Sequence, residues 1–133
     1  MRSFVAFCLV VVSVSFAQKK NDELKRGVSI ERGKYFVENV AHCIQCHSPR
    51  EFNGELIRSK LLDGAAISVG KPSWVDAWGE FAPRIAGLPQ YSDEQALKLL
   101  TTGIGKEGKA LRAPMPAFKM SQQDAQDVVG YLK

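Results

Sequence analysis

The chain has 133 residues with 18 Lys and Arg against 14 Asp and Glu, a formal net charge of +4. That length suits one domain, and the charge is too mild to argue for nucleic acid; no aromatic-interleaved basic patch or recognition-helix pattern does so either. Strand patterns are nearly absent, which sets the expected fold class as all-α.

In chain order, residues 1–17 (MRSFVAFCLVVVSVSFA) carry a single charge at Arg2, an apolar run from Phe4 to Phe16, and small residues at Ser15 and Ala17. The run is shorter than the roughly 20 residues that a membrane-spanning helix needs. Its layout is that of a secretory signal peptide cleaved before Gln18, taking Cys8 with it; an uncleaved N-terminal anchor is the alternative. Loss of Arg2 lowers the net charge to +3. Residues 18–28, which include KKNDELKR, read as a flexible tail, and residues 29–133 as the single folded domain. The protein is therefore expected in the periplasm or otherwise exported, and membrane-associated if the leader is retained.

Three helices follow. The first starts after Ser29, a good N-cap, and places Ile30, Gly33, Phe36, Val37, Val40, Ala41 and Ile44 on one stripe of period 3.6, which leads into HCIQCH at 42–47. Leu56, Ile57, Leu61 and Leu62 fit a short helix, and Asp63-Gly64 marks a turn. The second helix starts after Ser92, with Gln95 completing a capping box, Asp93 and Glu94 at its positive end, and Gly103 as its stop. Gly103 to Met120 has too many Gly and Pro residues to be helical, and a loop of that length in a small domain is either functional or a sign that the element assignment is wrong. The third helix starts after Ser121 and buries Ala125, Val128, Val129 and Leu132. These helices give a thin apolar core for the length of chain, so an apolar group is expected to fill the middle.

Cys43 and Cys46 admit three readings. A thioredoxin-like redox pair requires a βαβ context that the chain lacks. Zinc requires four ligands around a tetrahedron, and His42, Cys43, Cys46 and His47 crowd into six residues. C-x-x-C-H is the haem c attachment pattern, in which Cys43 and Cys46 add across the two vinyl groups and His47 reaches the iron. Met115 is the candidate for the second axial position: Pro114 and Pro116 fix φ on either side and stiffen the presentation of one thioether. Met115 as a core filler, and Met120 as the ligand instead, are the competing readings. His42 is read as a helix-end residue rather than a ligand.

The segments RGKYFVENVAHCIQCHSPR, APRIAGLP, YSDEQALKLLTTGI, RAPMPAF and SQQDAQDVVGYLK, in this order, resemble the class I c-type cytochromes, specifically the small exported monohaem kind similar to cytochrome subunits of bacterial dehydrogenases. The resemblance implies a cytochrome c-like fold of short helices around one covalently bound haem c, with the first and last helices crossing beside it. It further implies that the Pro83 carbonyl accepts a hydrogen bond from the iron-bound His47, although Ala82 and Arg84 replace the family's Gly and Asn and the 48–82 spacer is long. Gly33 and Gly130 would let the terminal helices approach closely. Trp74, Trp78 and Arg84 are candidate donors to the haem propionates, or else spacer and surface residues.

With both axial positions filled, the expected function is outer-sphere electron transfer by a carrier rather than catalysis. The expected partners are a redox donor and acceptor, such as a membrane-bound or periplasmic dehydrogenase and a terminal oxidase. The alternatives are a haem subunit of a larger dehydrogenase complex, with the 48–82 spacer as its docking surface, and a haem-based enzyme or sensor if the methionine is labile.

Overall fold

A computed structural model describes residues 27–133. The leader assigned to residues 1–17, and most of the tail assigned to 18–28, lie outside the described residues. Helix α1 spans Ile30–Tyr35, α2 Cys43–His47, α3 Asp93–Thr102 and α4 Gln122–Leu132, with one 3-10 turn at Arg58–Lys60. Strands β1 (Ala65–Ala66) and β2 (Phe81–Ala82) pair antiparallel in the register Ala65 to Ala82 and Ala66 to Phe81. The all-α expectation is thus corrected to a mainly helical fold with one short ribbon. Strands of two residues carry no readable period-2 pattern, and tertiary contacts rather than propensity make them.

The expected helix starts are all present. Ser29 Oγ accepts from the Arg32 amide at 3.3 Å, and Ser121 Oγ from the Asp124 amide at 3.1 Å. At Ser92 the capping box is reciprocal: Ser92 Oγ accepts from Gln95 N, and Gln95 Oε1 accepts from Ser92 N. Gly103 ends α3 in the left-handed region at φ 75°, where glycine carries no steric penalty. The stretch from there to Met120 contains no helix.

The first helix departs from its expected course. After Tyr35 it widens into a π-helical turn over Phe36–Val40, in which the Ala41 amide reaches back to Phe36 O at 2.7 Å. His42 then adopts a left-handed conformation (φ 51°) that separates this turn from α2. The extra residue per turn takes the stripe out of register, so Val37 and Ile44 are buried while Val40 is half-exposed. Likewise Leu56 to Leu62 forms no α-helix, only the 3-10 turn.

The core joins the π-helical turn, α3 and α4 through Val37, Leu100, Ala125, Val128 and Leu132. Helices α1 and α4 cross at Gly33, where a Cβ would lie 2.0 Å from the Asp127 carbonyl oxygen. Gly130 plays a different part from the one expected: a Cβ there would meet the Val28 and Ile30 side chains, not the backbone of α1. The crossing is tied by Asp127, whose fully buried carboxylate accepts from the Ser29 amide at 2.8 Å. Arg32 bonds Asp124 at 2.7 Å and lies 3.4 Å from Asp127 Oδ2. A buried carboxylate at the amino end of α1 meets both a free N–H and the positive end of the helix dipole.

Candidate functional site

Between α2, the ribbon, α3, α4 and the 111–118 loop lies a cavity of about 640 Å³, within the range of cofactor sites, about 300–1,000 Å³. Its walls are mainly apolar and include Ile85, Leu88, Leu99, Leu100, Phe118 and Val128. This is the space that the thin core leaves open. The same cavity is lined by Cys43, Cys46, His47 and Met115.

Each of these groups has an identifiable support. Both thiols are free, Cys43 half-buried and Cys46 exposed. Burial pushes the Cys43 thiol up to about 11, with the neighbouring Cys46 adding a smaller rise. His47 is 6% exposed; its Nδ1 lies 2.7 Å from Pro83 O, and the carbonyl, an acceptor only, fixes the proton on Nδ1. Burial lowers the imidazole pKa, and the Pro83 carbonyl offsets part of that. The ring is therefore neutral at pH 7, with Nε2 as its open nitrogen beside the cavity. Pro83 reaches it because the ribbon ends there: Ala82 is the last residue of β2.

Met115 sits in a loop pinned at several points. The Gly79 amide donates to Ala113 O at 2.7 Å, and the Met115 amide to Arg112 O at 3.1 Å. Met120 instead packs on the core, its amide donating to Leu100 O, and does not line the cavity. Trp78 lines the cavity, whereas Trp74 is 83% exposed and does not. Arg84 also points elsewhere, bonding Ala86 O at 3.1 Å and facing Asp63. His42 stands exposed at the cavity wall. Among the described residues no three His, Cys, Asp or Glu side chains converge to hold a metal ion, and the only sheet is antiparallel. Neither the zinc nor the thioredoxin reading finds its geometry.

Sequence reasoning missed Ser48 and Gly64. Ser48 is 1% exposed and accepts from the Leu62 amide at 2.9 Å. Gly64 (φ 90°) is pressed against Ala82 to Arg84, and its amide donates to His47 O at 2.7 Å. Asp63-Gly64 reads as a turn from sequence, but nothing local to it tells what the turn packs against.

Over 112 residues the chain is 33% identical to the fructose dehydrogenase cytochrome subunit of Gluconobacter japonicus, an alignment covering 77% of this chain and 21% of that protein. The comparison supports a cytochrome-like chain. A nicotinate dehydrogenase subunit from Pseudomonas putida is 28% identical over 92 residues, 68% of this chain and 7% of that one. The chain thus spans about a fifth or less of the length of these relatives. No protein-family model matches it. The donor set fits the group that a cytochrome implies: a haem attached at C-x-x-C-H needs two free thiols, an imidazole nitrogen oriented by its other nitrogen, and an apolar slot, and all of these line one cavity.

Proposed function

We propose that this chain is a c-type cytochrome module that carries single electrons from a dehydrogenase to a redox protein, with one haem tethered by Cys43 and Cys46 and ligated by His47 and Met115. One observation carries the reading: two free thiols, an imidazole fixed through Nδ1 to Pro83, and the Met115 thioether share the walls of one apolar cavity. The bound haem supplies a one-electron couple; the protein supplies attachment, orientation and dielectric. Cys43 and Cys46 keep the group in place. Pro83 holds the ring plane of His47 and raises its basicity. A thioether favours reduced iron and raises the potential, and the apolar walls limit water.

With His47 and Met115 both available to hold the haem iron, the bound group would offer one-electron transfer without an open site for substrate, which favours a carrier over a catalyst. The similarity to a dehydrogenase cytochrome subunit favours a place within a dehydrogenase complex over free diffusion. The leader at 1–17 would deliver the chain outside the cytoplasm.

Haem should remain with the polypeptide through denaturing electrophoresis, and the reduced pyridine spectrum should be that of two thioether bonds. Colour that runs off with the dye front refutes the reading. Intact mass tests export separately, since the exported chain should begin at Gln18.

A further inference from the structure

The bond from His47 to Pro83 joins residues 36 apart in sequence, and its length depends on whatever holds the two segments together. The connections form a closed ring. Ser48, the residue after His47, presents a buried hydroxyl that accepts from the Leu62 amide at 2.9 Å. Leu62 stands in the left-handed region (φ 64°), a costly conformation for a branched side chain that persists only when its surroundings hold it. Its carbonyl accepts from the Ile85 and Ala86 amides at 2.9 and 3.1 Å. Two residues further on, Gly64 donates to His47 O and touches the backbone on both sides of Pro83, where a Cβ would lie 2.8 Å from Arg84 N and 2.9 Å from Ala82 O. The Leu62–Gly64 turn therefore grips the chain before and after the Pro83 carbonyl, and it is itself held by His47 and Ser48.

We propose that Ser48 is a positioning residue for the His47 ligand: its hydroxyl fixes the Leu62–Gly64 turn, which sets the Pro83 carbonyl against Nδ1 of the imidazole. This deepens the proposed function and rests on it for the role of His47. Hydrogen bonds from Leu62 N and Gly64 N locate the turn relative to α2. Of these two, only the first depends on a side chain, so mutation can remove it. Ser48→Ala leaves the Leu62 amide buried without its acceptor, a situation the fold relieves by moving the turn. Pro83 moves with it. A weaker Nδ1–H bond makes the imidazole a poorer donor to ferric iron, which shifts the midpoint potential upward.

The test follows the Nδ1 proton of His47 by NMR in the wild type, Ser48→Ala and Ser48→Thr, alongside amide exchange in α4. Exchange of the Nδ1 proton should quicken by about tenfold or more in Ser48→Ala, the scale expected when one buried hydrogen bond is lost. It should return toward wild type in Ser48→Thr, which keeps the hydroxyl, while Val128 and Val129 in α4 exchange as before. In the haem-bearing protein the potential should rise in Ser48→Ala only. Unchanged Nδ1 exchange overturns the proposal. So does acceleration spread equally over α4, because that marks general loosening. Nδ1 exchange is read from the imidazole whether or not haem is attached, so a wild type without haem would refute the proposed function and leave the Ser48 result to stand by itself.

Discussion

Two methionines follow α3, and their surroundings differ. Met115 lines the cavity, its backbone fixed by bonds to Arg112 and through Ala113 to Gly79, whereas Met120 packs against the core below α3. Met115→Ala should therefore abolish the weak far-red sulfur-to-ferric band, lower the potential and let carbon monoxide or cyanide bind readily, with electronic spectra as the check. Met120→Ala should keep the band and instead lose stability by about 2–5 kcal/mol, discounted for partial exposure, as a truncated core side chain does; urea melts measure it. Swapped outcomes would exchange the roles. At this scale the sequence was most informative where chemistry needs particular atoms. The C-x-x-C-H spacing and the Pro-flanked Met115 are written locally. Pro83 came only through a resemblance, since nothing in APRIAGLP states that its carbonyl faces an imidazole 36 residues earlier. Ser48 and Gly64 were illegible because their roles are defined by the segments packed on them.

At the scale of elements, the crossing of α1 and α4 yields a contrast between two glycines. A Cβ at residue 33 runs into the Asp127 carbonyl oxygen at 2.0 Å, and backbone in the middle of a helix cannot give way. Gly33→Ala should cost about 3 kcal/mol or more, at or beyond the upper end of ordinary overpacking, despite a gain in helix propensity of about 1 kcal/mol. A Cβ at residue 130 meets the side chains of Val28 and Ile30, both about half exposed and free to move aside. Gly130→Ala should fall within about 1 kcal/mol of wild type, its propensity gain offsetting the displacement. Chemical denaturation of both variants checks the contrast. The contact of α4 with the π-helical turn has a pH signature. Tyr131 donates to Glu38 at 2.9 Å, and burial, with Glu38 adding to it, pushes the phenol up to about 12. The raised pKa means that the stabilisation is complete below pH 10 and is lost as pH climbs from 10 through 12, because the unfolded chain releases the proton first. Wild type should therefore lose stability more steeply than Tyr131→Phe across that window. Helix starts and stops were legible because Ser29, Ser92, Gly103 and Ser121 act on their own neighbours. The π-helical turn at Phe36–Val40 and the ribbon were not, since no Gly or Pro marks the first and tertiary contacts alone make the second.

At the scale of the whole molecule, the proposed electron carrier needs a surface at which it meets a partner. Five basic residues, Arg50, Lys106, Lys109, Arg112 and Lys119, belong to segments that adjoin the cavity-lining ones in sequence, and of these Arg112 lines the cavity. Three of them are already engaged within the molecule. Arg50 bonds Gly54 O and the Gln45 side chain, Lys106 lies over the Tyr91 ring, and Lys119 bonds Thr102 O at the carboxyl end of α3. The side chains of Lys109 and Arg112 make no hydrogen bond or ion pair among the described residues, and Arg112 lines the cavity together with the acidic Glu80. The patch therefore holds five positive charges, three of them on side chains fixed by contacts within the molecule, and one acid, Glu80, shares the cavity wall with Arg112. Steering by so few charges is weak but not absent, and exposed pairs are screened beyond about 8 Å at physiological ionic strength. The second-order rate of oxidation by an acidic redox partner should fall only a few-fold, roughly, between low and physiological salt, far short of the orders of magnitude that strongly steered encounters lose. Lys109→Glu, at a residue that does not line the cavity, should flatten or invert that dependence without altering the potential. Stopped-flow kinetics across a salt series decides it: a salt slope untouched by Lys109→Glu would remove the charged patch from the encounter and leave apolar contact at the cavity mouth to bring the partners together.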